Sequence, residues 1–351
     1  MSSFSERLAA AVTAKKTPVL VGLDPRWEQL PAVFRQTKDG VPSTAEAAEA
    51  FEAFCRSIID IVAPMVPAVK PQAAFFEQYG PDGMKTLAAV IRYAQKKGLL
   101  VILDGKRNDI GSTAAAYAAG LLGRAVSPWP ADALTVSPYL GDDSLAPFIE
   151  TAQIRTSGIF ILVKTSNPGG KTFQDLIVQD GKPLYRHVAE WVESAARQEI
   201  AAAEASHAGT SPAEASPAGT SPAEAPHAGT NSAGSNVGYS SLGAVVGATW
   251  PRQLAELRDV MKSVWFLVPG YGSQGGGAAD VAGAFDEKGL GALVNNSRGI
   301  IFAHRSPAFA EWGEAKWERA VEASTRNMVD ALASETTAGA LRDGGSAASG
   351  R

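Results

Sequence analysis

One cysteine, Cys55, and four histidines are all that this 351-residue chain offers among the residue types that bind transition metals most readily. A single cysteine forms no internal disulfide, so nothing in the sequence calls for an oxidising compartment. The histidines are His187, His207, His227 and His304, and two of them lie inside a low-complexity stretch, so no metal centre is expected. Lysines and arginines form no cluster along any segment and the formal net charge is −4, which argues against nucleic acid or an anionic membrane surface as partner. No stretch approaches the roughly 20 apolar residues that span a bilayer. Residues 1–16 carry Phe4, Leu8 and Val12 at helical spacing together with Glu6, and they lack the apolar core of a signal peptide. The absences leave a cytoplasmic protein that begins with an amphipathic helix and acts on a small molecule.

What is present is enough apolar residue, 45% of the chain against 19% charged, to bury a substantial core. Short β-rich apolar runs alternate with helical stretches throughout, the pattern of repeated βα units on a parallel sheet. The strand candidates are 18–23, 67–70, 99–103, 131–136, 158–163, 242–247, 264–268 and 292–295. Between them the spacing predicts helices over 44–62, 83–97, 113–123, 145–154, 185–202, 251–261 and 278–288, with a last one over 308–333. Eight units in a chain of this length point to an α/β protein of the (β/α)8 TIM-barrel class, a single domain over residues 1–335, rather than an open doubly wound sheet.

Residues 203–232 fit no fold. They read AEASHAGTSP, AEASPAGTSP and AEAPHAGTNS, three near-copies of a ten-residue unit with no apolar face. Such a unit buries too little surface to offset chain entropy, so 203–235 is expected to be a disordered insertion before the sixth strand. The small, polar tail 336–351 is expected to fray.

The most informative stretch is Val101-Ile102-Leu103-Asp104-Gly105-Lys106-Arg107-Asn108-Asp109-Ile110, where an apolar strand ends in two carboxylates and a lysine. Residues two apart in a strand project to one side, so Asp104 and Lys106 are expected to pair. Spacing alone would bring Asp109 to the same ammonium, and a lysine held between carboxylates is a candidate proton donor. The same residues also suit a strand-end salt bridge that only orders a loop. Barrel sites lie at the C-terminal ends of the strands, and those ends are polar here: Asp24, Lys70 and Gln72, then Lys164, Thr165 and Ser166, then Asn295, Ser297 and Arg298. That concentration favours a catalytic cluster.

The loop Pro269-Gly270-Tyr271-Gly272-Ser273-Gln274-Gly275 holds a literal GxGxxG. A dinucleotide fold would place that motif in the first βα turn and end the next strand on an acidic residue, whereas Asn295-Asn296-Ser297-Arg298 follows here. A glycine-rich loop after strand seven also suits a single phosphate held by backbone N–H groups, with Arg298 adding a bidentate contact. A glycine turn beside a surface arginine is the plainer alternative.

Taken together, the chain resembles the orotidine 5′-phosphate decarboxylase family in its longer bacterial form. The resemblance rests on Asp104-x-Lys106-x-x-Asp109-Ile110 followed by Gly111-Ser112-Thr113, on Lys70 ending the second strand, and on Pro269-Gly270 with Arg298. It implies a cofactor-free homodimer, with no metal, that converts orotidine 5′-monophosphate to UMP and carbon dioxide. It further implies that Lys70, Asp104, Lys106 and Asp109 form an alternating charged array in which Lys106 protonates carbon six. Asp109 and Thr113 would then cross the dimer interface to the neighbouring site. Asp24 and Lys70 would hold ribose hydroxyls, Ser166 the pyrimidine, and Gln274 and Arg298 the phosphate. The wording Lys164-Thr165-Ser166-Asn167-Pro168-Gly169 departs from the family's commoner pattern around that serine. The other readings are a Schiff-base aldolase on the same fold using Lys164, a non-catalytic nucleotide-binding barrel, and an interaction protein carried by its repeats.

Overall fold

The computed structural model describes residues 2–37, 40–124, 126–208, 238–272 and 274–343. Eight strands close into one barrel in chain order, every neighbouring pair parallel. They are β1 (Val19–Leu23), β2 (Ala68–Pro71), β3 (Leu100–Arg107), β4 (Ala133–Val136), β5 (Gly158–Lys164), β6 (Leu242–Val246), β7 (Trp265–Val268) and β8 (Ala292–Asn296). Their runs of Val, Leu, Ile and Phe are buried on both faces, inside the barrel and beneath the helices, as an all-parallel sheet requires.

Helices Thr44–Val62, Gly80–Lys96, Gly111–Leu121, Ala146–Ile154, Leu184–Ala208 and Pro251–Val260 connect the first seven strands, and Trp317–Glu335 follows β8. Thr44–Val62 starts at a capping box in which Ser43 and Glu46 satisfy each other's backbone N–H groups. The expected amphipathic start of the chain is helix Phe4–Lys15, capped in the same way by Ser3 and Glu6. Its Phe4 ring meets Phe160 edge-on at 6.1 Å and fills the space a side chain at Gly158 would need. Gly158 opens β5, so this helix closes the barrel at the N-terminal ends of the strands, opposite the polar rim.

Four expectations need correction. The stretch 278–288 forms only a six-residue 3-10 helix, Ala279–Ala284, in which Gly283 packs so closely on Ala255 that a Cβ there would lie 2.7 Å from the Ala255 Cβ. The last long helix begins at Trp317 rather than 308, after Gly313 turns the chain through φ +54°. Residues 337–343 are not frayed: they form two short helical turns, and Ala338 and Leu341 are buried. Helix Leu184–Ala208 runs beyond 202 into the first repeat, and the remainder of the expected insertion, 209–235, lies outside the described residues. Among the described residues no helix is long and apolar enough to cross a membrane.

Candidate active site

β3 ends differently from a regular strand. Its ladder with β4 pairs Ile102 with Ala133 and Leu103 with Leu134, then resumes at Arg107 with Val136, so Asp104, Gly105 and Lys106 together face the single residue Thr135. The bulge leaves Lys106 at φ +43°, a left-handed conformation seldom adopted by a lysine. On the other side, Gln72 bridges to Asp104 and the Ala73 N–H donates to the Asp104 carbonyl at 3.1 Å, carrying β2 alongside β3 beyond their regular pairing.

These two edges converge on the Asp104 carboxylate, which is buried. Its Oδ1 accepts from Lys106 Nζ at 2.6 Å and Thr135 Oγ1 at 2.9 Å; its Oδ2 accepts from Lys70 Nζ at 2.8 Å and Gln72 Nε2 at 3.1 Å. Burial by itself would raise the Asp104 pKa, but Lys70 and Lys106 outweigh it and hold the carboxyl well below the usual range. Burial likewise works against the Lys70 ammonium, yet Asp104 and then Asp24 overcome it and push its pKa up. The expected pairing of Asp104 with Lys106 is therefore present, and Lys70 completes a Lys–Asp–Lys array with every carboxylate lone-pair direction engaged.

The array forms one side of a cavity of about 600 Å³ at the C-terminal ends of the strands. Leu162, Val245 and Leu267, on β5 to β7, give the opposite side an apolar wall. Asp24, Ser166, Gln274 and Arg298 line the same cavity, so seven of the nine residues singled out from sequence meet there. Asp24 and Asn295 line the cavity, and the Oδ1 atom of each is buried without a hydrogen-bond partner among the described residues, leaving two acceptors beside the space where a ligand would lie.

Ser166 is fixed by its surroundings. The Thr249 hydroxyl donates to its carbonyl at 2.9 Å, and the Trp250 indole donates to the Thr165 carbonyl at 2.9 Å. Gly247 lies against it so closely that an added Cβ would come within 2.7 Å of the Ser166 Cα. The loop after β7 also differs from expectation: the N–H groups of Gly272, Gly275 and Gly276 bond to carbonyls within the loop at 2.8, 2.8 and 3.3 Å. Those three amides close a turn and are not directed at a ligand, which leaves the side chains of Gln274 and Arg298 facing the cavity.

The two remaining residues stand apart. Asp109 accepts from the adjacent Ile110 N–H at 2.8 Å and forms no ion pair among the described residues, so the reading that brought it to the Lys106 of its own chain is corrected. Thr113 lies exposed in the first turn of helix Gly111–Leu121. The aldolase reading fails on geometry. Lys164 is fully buried outside the cavity, ion-paired with Asp175 and packed against the rings of Trp250 and Tyr185 at 4.8 and 5.1 Å. Thr135 and Arg26 also line the cavity and carry no sequence signal for it, and Gln72 and Asn295 stand out in the sequence only as strand-end residues. Position after an apolar run was a usable signal for Gln72 and Asn295, whereas a threonine inside a strand reads as an ordinary β-former.

Residues 17–311 match the model of the Orotidine 5′-phosphate decarboxylase / HUMPS family. The orotidine 5′-phosphate decarboxylase of Rhodopirellula baltica is 48% identical over 336 residues, covering 95% of this chain and 99% of that one. That of Caldicellulosiruptor bescii is 36% identical over 326 residues, covering 90% and 95%. Among solved structures, a putative orotidine 5′-phosphate decarboxylase from Streptomyces avermitilis superposes with a TM-score of 0.69 at 30% identity, covering 95% of this chain and 96% of its own. The site architecture and this similarity along nearly the whole length agree: the chain belongs to the orotidine 5′-phosphate decarboxylase family.

Proposed function

We propose that the chain decarboxylates orotidine 5′-monophosphate to UMP in pyrimidine biosynthesis, in the cytoplasm and without a cofactor. The observation that carries this reading is the Lys70–Asp104–Lys106 array on the wall of a nucleotide-sized cavity. Loss of carbon dioxide from carbon six leaves an electron pair in the plane of the ring, where the pyrimidine π-system does not delocalise it. Fixed charge must stabilise it. Lys106 supplies that charge as the C–C bond to the carboxylate breaks and then donates its proton to the electron pair left on carbon six, forming the new C–H bond. Asp104, held by four donors, cannot turn away from the substrate carboxylate, and their repulsion is relieved as carbon dioxide leaves towards the apolar wall.

The remaining groups bind the rest of the nucleotide. The unpartnered Asp24 Oδ1 accepts from a ribose hydroxyl beside Lys70, Ser166 bonds the pyrimidine, and Gln274 with Arg298 holds the phosphate. Phosphate binding so far from carbon six contributes energy for assembling the closed site. The working unit is a homodimer in which Asp109 and Thr113 of each chain complete the neighbour's site. Support for this comes from helix Gly111–Leu121, whose outward residues include Ala115, Ala116, Tyr117 and Ala119, with Ile110 beside them 55% exposed. Small apolar residues on a solvent-facing helix side suit close packing against a second copy.

The test follows the absorbance of orotidine 5′-monophosphate with purified protein and no added metal. Lys106→Ala is expected to lose at least about 10³-fold in kcat, within the range ascribed to a positioned proton donor and its charge. Near wild-type turnover by that variant overturns the mechanism, and inactivity of the wild type overturns the function.

A further inference from the structure

The Thr135 hydroxyl connects the two groups that perform the chemistry. It accepts from the Lys106 backbone N–H at 2.9 Å and donates to Asp104 Oδ1 at 2.9 Å, on a side chain only 1% exposed. The direction of these bonds is fixed. An amide N–H only donates, so Oγ1 must be its acceptor, and the single hydroxyl proton is left to the carboxylate.

The location explains why a side chain is needed. In regular register Lys106 would stand two positions beyond Asp104, level with Ser137 of the β3–β4 ladder. The bulge holds it level with Thr135 instead. In that position the Lys106 N–H is taken by the Thr135 side chain, and Lys106 lies in the left-handed region at φ +43°. A non-glycine residue stays there only where its surroundings determine it more strongly than its own preference does. Here one hydroxyl accepts from the bulge's N–H and ties it to the carboxylate that Lys106 Nζ reaches at 2.6 Å.

We propose that Thr135 is a positioning residue for decarboxylation: it fixes Lys106 and Asp104 relative to each other by holding the β3 bulge. The inference rests on the reading of Lys106 as the proton donor. Thr135→Val keeps the shape of the side chain and removes both hydrogen bonds, while Thr135→Ser keeps both and removes a methyl group. Because a misplacement of about 1 Å costs on the order of 10²-fold in rate, Thr135→Val is expected to lower kcat about 30- to 100-fold. The dissociation constant for UMP should change less than about threefold, since binding through ribose and phosphate does not use the bulge. Thr135→Ser is expected to retain kcat within about threefold of wild type.

Three results would overturn the proposal: wild-type kcat in Thr135→Val, an equal loss in both variants, or UMP affinity falling in step with kcat. Crystal structures of wild type and Thr135→Val provide a readout independent of turnover. Lys106 should leave the left-handed region and its ammonium should part from Asp104 in the variant; an unchanged bulge counts against the proposal. A displaced bulge in a protein whose wild type does not consume orotidine 5′-monophosphate would refute the functional reading and keep the positioning role.

Discussion

Asp104 and Lys70 set the pH range over which the array exists. The Asp104 pKa is lowered from an ordinary 3.8, so its stabilisation is present above that value and is lost only as pH falls through the lower folded one. The Lys70 pKa is raised from 10.5, so its stabilisation is present below that value and is lost only as pH rises through the higher folded one. Between the two limits both groups stay charged. At saturating substrate, kcat is therefore expected to remain flat within about twofold from roughly pH 5 to pH 9, any limb near pH 6 in kcat/KM belonging to the substrate phosphate. A single-proton limb in kcat inside that range would show that another ionisation controls the chemistry. At this scale the sequence was legible where charge sits beside an apolar run: Asp104 and Lys106 pair as the alternation predicts, and Lys70 joins them as the family resemblance implies. It was silent where function depends on a neutral hydroxyl, because Thr135 on β4 looks like any strand residue until β3 bulges opposite it.

Elements were read best where hydrophobic periodicity alone decides them. All eight strands lie where the apolar runs lie, and helix Thr44–Val62 has its expected bounds. β3 is the strand that departs most, continuing four residues past its apolar run to Arg107, because Asp104 and Lys106 are paired with neighbours and so need not leave the sheet. Close packing was not legible either, since a glycine in sequence does not state what it approaches. Gly283 lies against Ala255 in this way, and Gly247 does something more consequential by leaving room for Ser166 just beyond the ends of β5 and β6. In Gly247→Ala the added methyl must displace Ser166, and no left-handed φ is involved, so the effect is purely steric. Loss of one substrate hydrogen bond of about 1 kcal/mol is expected to raise KM for orotidine 5′-monophosphate roughly fivefold, with the melting temperature measured alongside. A KM within twofold of wild type would mean that Ser166 does not contact the base or that the loop yields without cost.

At the scale of the whole molecule, a count of eight βα units was enough to specify a closed barrel, and the barrel then specifies which strand ends share a rim. What the described residues of one chain do not contain is an ion-pair partner for Asp109. The residue lies just beyond β3, bonded among the described residues to the amide that follows it, at the start of a helix whose outward side carries Ala115, Ala116, Tyr117 and Ala119. Mixing two inactive variants tests whether a second copy supplies the missing array. On the proposed reading, Lys106→Ala lacks the proton donor, and Asp109→Ala lacks the carboxylate given to the partner. In a heterodimer of the two, one site receives Lys106 from the Asp109→Ala chain and Asp109 from the Lys106→Ala chain, while the other receives neither. Random exchange of equal amounts makes half the dimers mixed, each with one intact site of two, so roughly a quarter of wild-type activity should return. Recovery should grow with the time allowed for subunit exchange and vanish if exchange is blocked by cross-linking beforehand. If each site were built from one chain, neither variant could repair the other and mixing would restore nothing.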